Sequence, residues 1–386
     1  LIYYPEQKLD LVKAVETDLD DWYVITLNQL VRVCQNVSSK YTRSKVRKAM
    51  PEAFGYILDE LLHTNYDEEN KQSYYQHIIS TIIDINRAEE VIECLCSLIK
   101  RLAVDCLHIV GDIYDRGERA DNILDLLMEH HCVDIQWGNH DILWMGAAAG
   151  NEACIACVLN LALQYNTLDI VENGYGISLR DMISFAQETY KDCTWFMPRN
   201  PDDKDYLPTS MDTLSKVHKA IAIMQFKLEG QIIKARPEFG MESRLLLDKI
   251  DLSQGSVTID GISYPMKDKH FPTLDPEHPY LLTEQEQEVI DQIQQSFMHC
   301  EKLQQHIQFL YSHGSLYKVY NGNLLYHGCI PLTKDGKFLP VRLFGKTYTG
   351  RALYDVLDSY ARKGYYATDD RERIRGQAIL WYLWEN

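Results

Sequence analysis

The sequence is short of positive charge: 39 Lys and Arg stand against 56 Asp and Glu, a formal net charge of −17. So acidic a chain repels a phosphate backbone, which excludes non-specific nucleic-acid binding. An anionic substrate would need local help from a metal or an arginine. Long hydrophobic runs are also missing. The most apolar stretch, 147–163, is interrupted by Gly150, Asn151 and Glu152, so no segment reaches the ~18 to 20 apolar residues of a membrane span, and no membrane partner is expected. Cysteine is thin. Ten in 386 residues lack the density of a disulfide scaffold and fit reduced thiols in a cytoplasm. The one Cys-x-x-Cys, Cys154 and Cys157, has no second pair and reads as two small core residues. The opening residues have neither a basic leader region nor an initiating Met, as expected of a stretch lying inside a longer protein.

The composition that remains, 46% hydrophobic and 25% charged, is that of a folded globular chain. Residues 1–103 carry apolar positions at helical spacing with few Gly or Pro, and are expected to be mainly helical. Two apolar runs, 104–110 and 132–137, flank a segment whose Ile123, Leu124, Leu127 and Met128 share one helical face. That spacing predicts a βαβ unit with a parallel pair, whose strand ends meet on one sheet edge. Further on, the pattern is helical over 151–190, loop-like over 192–210 and helical over 211–235. A hairpin is expected about Asp260-Gly261, one long helix over 283–311, and a second hairpin about Asn321-Gly322. Helices follow over 350–363 and 371–385.

Both predicted strands end in polar clusters. The first is Gly111-Asp112-Ile113-Tyr114-Asp115-Arg116-Gly117 and the second Gly138-Asn139-His140-Asp141. Two carboxylates three residues apart repel one another unless a cation lies between them. A third cluster, Tyr326-His327-Gly328, ends a strand of the second hairpin. Carboxylate, amide oxygen and imidazole together suit Mn, Fe, Zn or Mg rather than a thiolate metal. His108 is expected to be packed in its strand, and Trp137 and Trp144 to lie in the core. His130 and His131 read as a helix C-terminus and His313 as a helix cap. Arg119, Arg180 and Arg351 read as surface or ion-pair residues.

These motifs resemble those of the calcineurin-like metallophosphoesterase superfamily. The longer strings Lys45–Ala49, His108–Gly117, Ile135–Gly150 and Asn321–Pro331 resemble class III fructose-1,6-bisphosphatase, the firmicute and bacteroidete type, with similarity along essentially the whole chain. The resemblance implies an α/β fold: a calcineurin-like core, a two-sheet αββα sandwich, with large helical insertions. It places a helical part at 1–103, the first part of the core at 104–190, an insertion at 191–311, the core strand with His-Gly at 312–345, and C-terminal helices at 346–386. It implies a dinuclear metal site, Mn2+ foremost with Fe, Zn or Mg open. Asp112 would bridge the metals, and Asn139 and His327 would bind the second. His140 would protonate the leaving alkoxide, Asp115 would fix its tautomer and raise its basicity, and Arg116 would clamp the phosphate. Asp141 would support the loop. The superfamily's first-strand Asp-x-His and late Gly-His do not occur in the expected form. The nearest upstream string, Asp84-Ile85-Asn86, lacks the imidazole, and both motifs are expected beyond the two ends. The implied activity is cytoplasmic, gluconeogenic hydrolysis of fructose 1,6-bisphosphate, a small-molecule sugar bisphosphate. Another phosphoprotein or nucleotide phosphatase, or a catalytically silent binding fragment, stays open, as does a homo-oligomer.

Overall fold

The computed structural model describes residues 1–63, 69–191, 193, 195–199 and 210–385. Much of the loop expected over 192–210 lies outside the described residues. The chain divides into two compact units, Leu1–Leu107 and His108–Asn386.

The first unit is helical: α1 (Pro5–Val15), α2 (Leu19–Ser38), α3 (Arg43–Ala49), α4 (Gly55–His63), α5 (Glu69–Asp84) and α6 (Ala88–Ala103). α6 shows why these segments fold as they do. Val91, Ile92, Leu95, Cys96, Leu98, Ile99 and Leu102 make a buried stripe, with Glu89 and Glu90 in the first turn and Lys100 and Arg101 in the last, as the helix dipole favours. The stripe packs on α2. The basic run of α3 is mostly exposed, and its Arg43 pairs with Asp59 at 2.6 Å.

In the chain that follows, β1 (Leu107–Ile109), α7 (Ala120–Glu129) and β2 (Val133–Gln136) appear in the predicted order, each strand shorter than its apolar run. α8 (Asn139–Ala148), α9 (Glu152–Tyr165), α10 (Arg180–Thr189) and α11 (Met211–Ala235) come next. β3 (Ile250–Asp251), β4 (Ser256–Ile259) and β5 (Ile262–Pro265) form an antiparallel sheet, with the β4–β5 turn at Asp260-Gly261. The single helix expected over 283–311 is instead two, α12 (Glu284–His299) and α13 (Glu301–His313). Cys300 breaks it with an extended ψ of 103°. Its thiol donates to the Tyr175 carbonyl at 3.0 Å, and its sulfur caps Leu303 N.

β6 (Gly314–Ser315) then pairs parallel with β2, through Ile135 with Gly314 and Gln136 with Ser315, giving a sheet of order β1-β2-β6. β7 (Tyr317–Tyr320) and β8 (Asn323–Tyr326) form the second hairpin about Asn321-Gly322, and β9 (Val341–Leu343) pairs with β10 (Lys346–Tyr348). α14 (Gly350–Tyr366) and α15 (Asp370–Glu385) end the fold. α8 is buried from Asp141 to Ala148 and is flanked by α9, α12, α13 and α15. Helix therefore predominates in a mixed α/β chain with four small sheets among the described residues. No described helix is long and apolar enough to cross a membrane.

Candidate active site

The sheet edge beyond β1 and β2 is tied together by Asp141, in the first turn of α8. Its fully buried carboxylate accepts from Asp112 N at 2.8 Å, Gly138 N at 2.9 Å and Tyr114 N at 3.2 Å. Burial pushes Asp141 up to about 6, against the opposing pull of these amides. The two loops interlock closely: a Cβ on Gly138 would collide with Asp112 Oδ1, and one on Gly111 with the Gly138 backbone. Asp112 itself holds a left-handed φ of 58°, a strained conformation that Asp tolerates better than most residues.

Held this way, Asp112 turns its carboxylate toward two histidines. Oδ1 accepts from His140 N at 3.2 Å, and Oδ2 lies 3.2 Å from His327 Nε2. His327 Nδ1 sits 2.6 Å from the Val110 carbonyl, so it must donate there. Whenever the ring is neutral its Nε2 lone pair faces the carboxylate, an arrangement that suits a cation between them, and a backbone carbonyl on the far ring nitrogen is the usual way a ligating histidine is oriented. Asn139 opens α8 half-buried, and its side chain makes no hydrogen bond among the described residues. It lines the same cavity, of about 290 Å³, as His327 and Trp384. These donors fit the divalent metals that accept mixed oxygen and nitrogen sets.

On the other side, His140 Nε2 lies 3.1 Å from Asp115 Oδ1, which also accepts from Arg116 Nε at 3.1 Å. Donor atoms of Asp112, Asp115 and His140 all lie within 4.8 Å of one another. The His140 side chain is 12% exposed and meets Trp384 edge-on at 5.0 Å. Burial lowers its pKa and outweighs the attraction of Asp115 and Asp112, with Arg116 adding to the lowering. Asp115 does act to raise the basicity of His140, but burial outweighs it and the net direction is down. The Arg116 guanidinium stacks over Tyr165, 4.7 Å from the ring centre.

The structure brings Asp112, Asp115, Arg116 and His140 together with His327, and sets Asn139 beside them. Sequence reasoning missed several neighbours. Tyr114 OH meets Tyr175 OH at 2.6 Å, Tyr175 OH meets His306 Nδ1 at 2.9 Å, and His306 Nε2 meets Asp125 at 2.9 Å. This line, buried from Tyr114 to His306 and ending at the exposed Asp125, braces the loop carrying Asp115. Tyr114 was visible in its motif; the others are distant in sequence and carry no local signal. Trp384, Tyr165 and Arg199, which also stacks on Tyr165, were missed for the same reason. His108 is not simply packed: it is half-buried, with Nδ1 2.7 Å from Asp134. Trp137 and Trp144 are buried, and Arg119 and Arg351 pair with Asp121 and Asp355.

The family description "Firmicute fructose-1,6-bisphosphatase" matches residues 1–386. Proteins named fructose-1,6-bisphosphatase class 3 are similar over 100% of this chain. That of Bacteroides fragilis is 54% identical, with 58% of its own length covered. That of Clostridium botulinum is 55% identical with 58% covered, and that of Listeria monocytogenes 53% identical with 59% covered. The chain therefore spans between 58% and 59% of the length of these relatives. No solved structure matches it. With every residue matched by one family description and identity above half to its members, the chain belongs to the firmicute, class 3 fructose-1,6-bisphosphatase family.

Proposed function

We propose that this site hydrolyses fructose 1,6-bisphosphate to fructose 6-phosphate and phosphate, a cytoplasmic gluconeogenic step, on a calcineurin-like αββα core. The observation that carries the reading is the Asp112–His327 pair, with the imidazole tautomer set by the Val110 carbonyl. Asp112, Asn139 and His327 would hold a divalent metal, Mn2+ foremost, in a dinuclear site. When bound, such metals polarise phosphoryl oxygens and lower the pKa of water. The chain's own residues do the rest. Arg116 presents a planar fork of donors to the phosphate. His140 Nε2 and Asp115 Oδ1 hold a proton across 3.1 Å, and that proton goes to the departing sugar oxygen. Trp384 meets the His140 ring edge-on, and Trp144 lines a pocket with His140 and Asp115.

The test is a substrate panel on full-length protein, first stripped with chelator and then given Mn2+. The stripped protein is expected to be inactive. Added Mn2+ should restore turnover on fructose 1,6-bisphosphate above that on phosphoproteins or nucleotides. Full activity in excess chelator after dialysis would sink the metal assignment, and preference for a phosphoprotein would replace the substrate.

A further inference from the structure

From Asp112 the site continues as a row of contacting groups. His140 N donates to Asp112, His140 Nε2 meets Asp115, Asp115 meets Arg116, and Arg116 stacks on Tyr165. At the far end a second guanidinium, Arg199, lies 5.0 Å from the same ring centre. Its placement is built rather than casual. Arg199 Nη1 donates to Tyr165 OH at 2.9 Å, and Arg199 N donates to the Gln164 carbonyl at 2.9 Å. In the amide orientation that satisfies both groups, the Gln164 side-chain oxygen accepts from Arg199 Nη2 at 3.0 Å and Nε at 3.3 Å. All of these partners are neutral. Among the described residues no carboxylate meets Arg199, whereas Arg119 and Arg351 are each paired with one.

Two guanidiniums on one tyrosine, of which only Arg116 meets a carboxylate among the described residues, make a local positive patch in a chain of net charge −17. A guanidinium has five N–H donors. The contacts above engage Nε and one hydrogen on each Nη, which leaves a second hydrogen on each Nη for a bidentate acceptor, the arrangement that suits phosphate oxygens. We propose that Arg199, seated on Tyr165, binds the second, uncleaved phosphate of the sugar bisphosphate, while Arg116 meets the phosphate being removed. The assignment rests on the reading of the site given above and supplies what that reading lacks: a reason for a bisphosphate to be preferred over a monoester.

Two measurements on full-length, Mn2+-loaded protein test it. The first is the ratio of kcat/KM on fructose 1,6-bisphosphate to that on p-nitrophenyl phosphate. The second is the Ki of fructose 6-phosphate, which keeps only the uncleaved phosphate, against hydrolysis of the aryl ester. Arg199→Gln should lower the ratio and raise the Ki, each by about ten-fold or more, and Arg199→Lys should fall between, keeping the charge without the fork. A ratio and Ki within about two-fold of the parent, or equal losses on both substrates, would overturn the assignment. Should Arg199→Gln fail to fold, Tyr165→Phe removes the hydroxyl that orients the guanidinium, and an unchanged Ki there overturns it too. A parent protein inactive on the bisphosphate would instead refute the functional reading itself.

Discussion

His140 shows how much of the chemistry rests on one side chain and its two carboxylate neighbours. It is buried, so its cationic form is disfavoured, yet its ring nitrogen lies 3.1 Å from Asp115. A dyad of that kind matters in proportion to how badly the leaving oxygen needs a proton. A sugar alkoxide needs one, and a nitrophenolate hardly does. His140→Asn is therefore expected to cost ~10² to 10⁴ in kcat on the sugar phosphate and far less on an aryl phosphate, with bound metal unchanged. Asp115→Asn should follow the same pattern more mildly. Steady-state kinetics on both substrates, with metal analysis of each variant, decides it. Equal losses on the two esters, or metal lost with activity, would make His140 a ligand or a structural residue.

Among the elements, the clearest departure from the amphipathic pattern is a buried ion pair between α11 and α12. Lys227 Nζ and Glu286 lie 2.6 Å apart with both side chains fully buried, and Lys227 also donates to the Thr273 carbonyl at 2.6 Å. Glu286 closes the capping box of α12, accepting from Thr283 N at 2.8 Å. Removing one partner leaves an uncompensated charge in the interior, so Glu286→Ala should destabilise the fold by ~3 to 5 kcal/mol. The double change Lys227→Met with Glu286→Leu should recover most of that. Urea unfolding of the three proteins measures it, and a single variant as stable as the parent would refute the argument. Neither residue could be assigned from the sequence, since Lys and Glu in a helix read as a solvated face. The hairpin turns were legible because Asp260-Gly261 and Asn321-Gly322 take left-handed conformations that few other pairs tolerate. Asp112, Asn139, His140 and His327 were legible because glycines and short polar strings punctuate the strand ends. Tyr165, His306 and Trp384 were not, because only packing between distant helices brings them to the site, and Arg199, in a non-helical segment, is positioned by Tyr165 and Gln164 far back in the sequence. The break at Cys300 was hidden likewise: its cause is the Tyr175 carbonyl, 125 residues away.

Across the whole molecule, an excess of acidic groups makes acid stability depend on which carboxylates are held by cations. Asp134 in β2 is such a group. It lies 2.7 Å from His108 in β1 and 2.7 Å from Lys318 in β7. Burial would raise its pKa, but His108, Lys318 and Gln136 together hold it at about 2, below the ~3.9 of an unfolded aspartate. A depressed carboxylate contributes stability above the unfolded value, and loses it as pH falls through the folded one. The wild-type protein should therefore shed this contribution between pH ~4 and ~2. Asp134→Asn should be less stable near neutrality, and the difference in Tm between the two proteins should shrink steadily across that window. Both should be measured in chelator, so that loss of metal at low pH is common to the pair. A difference that stays constant from pH ~5 to ~2 would mean that Asp134 acts through its shape and hydrogen bonds, and that its charge adds nothing to holding these strands together.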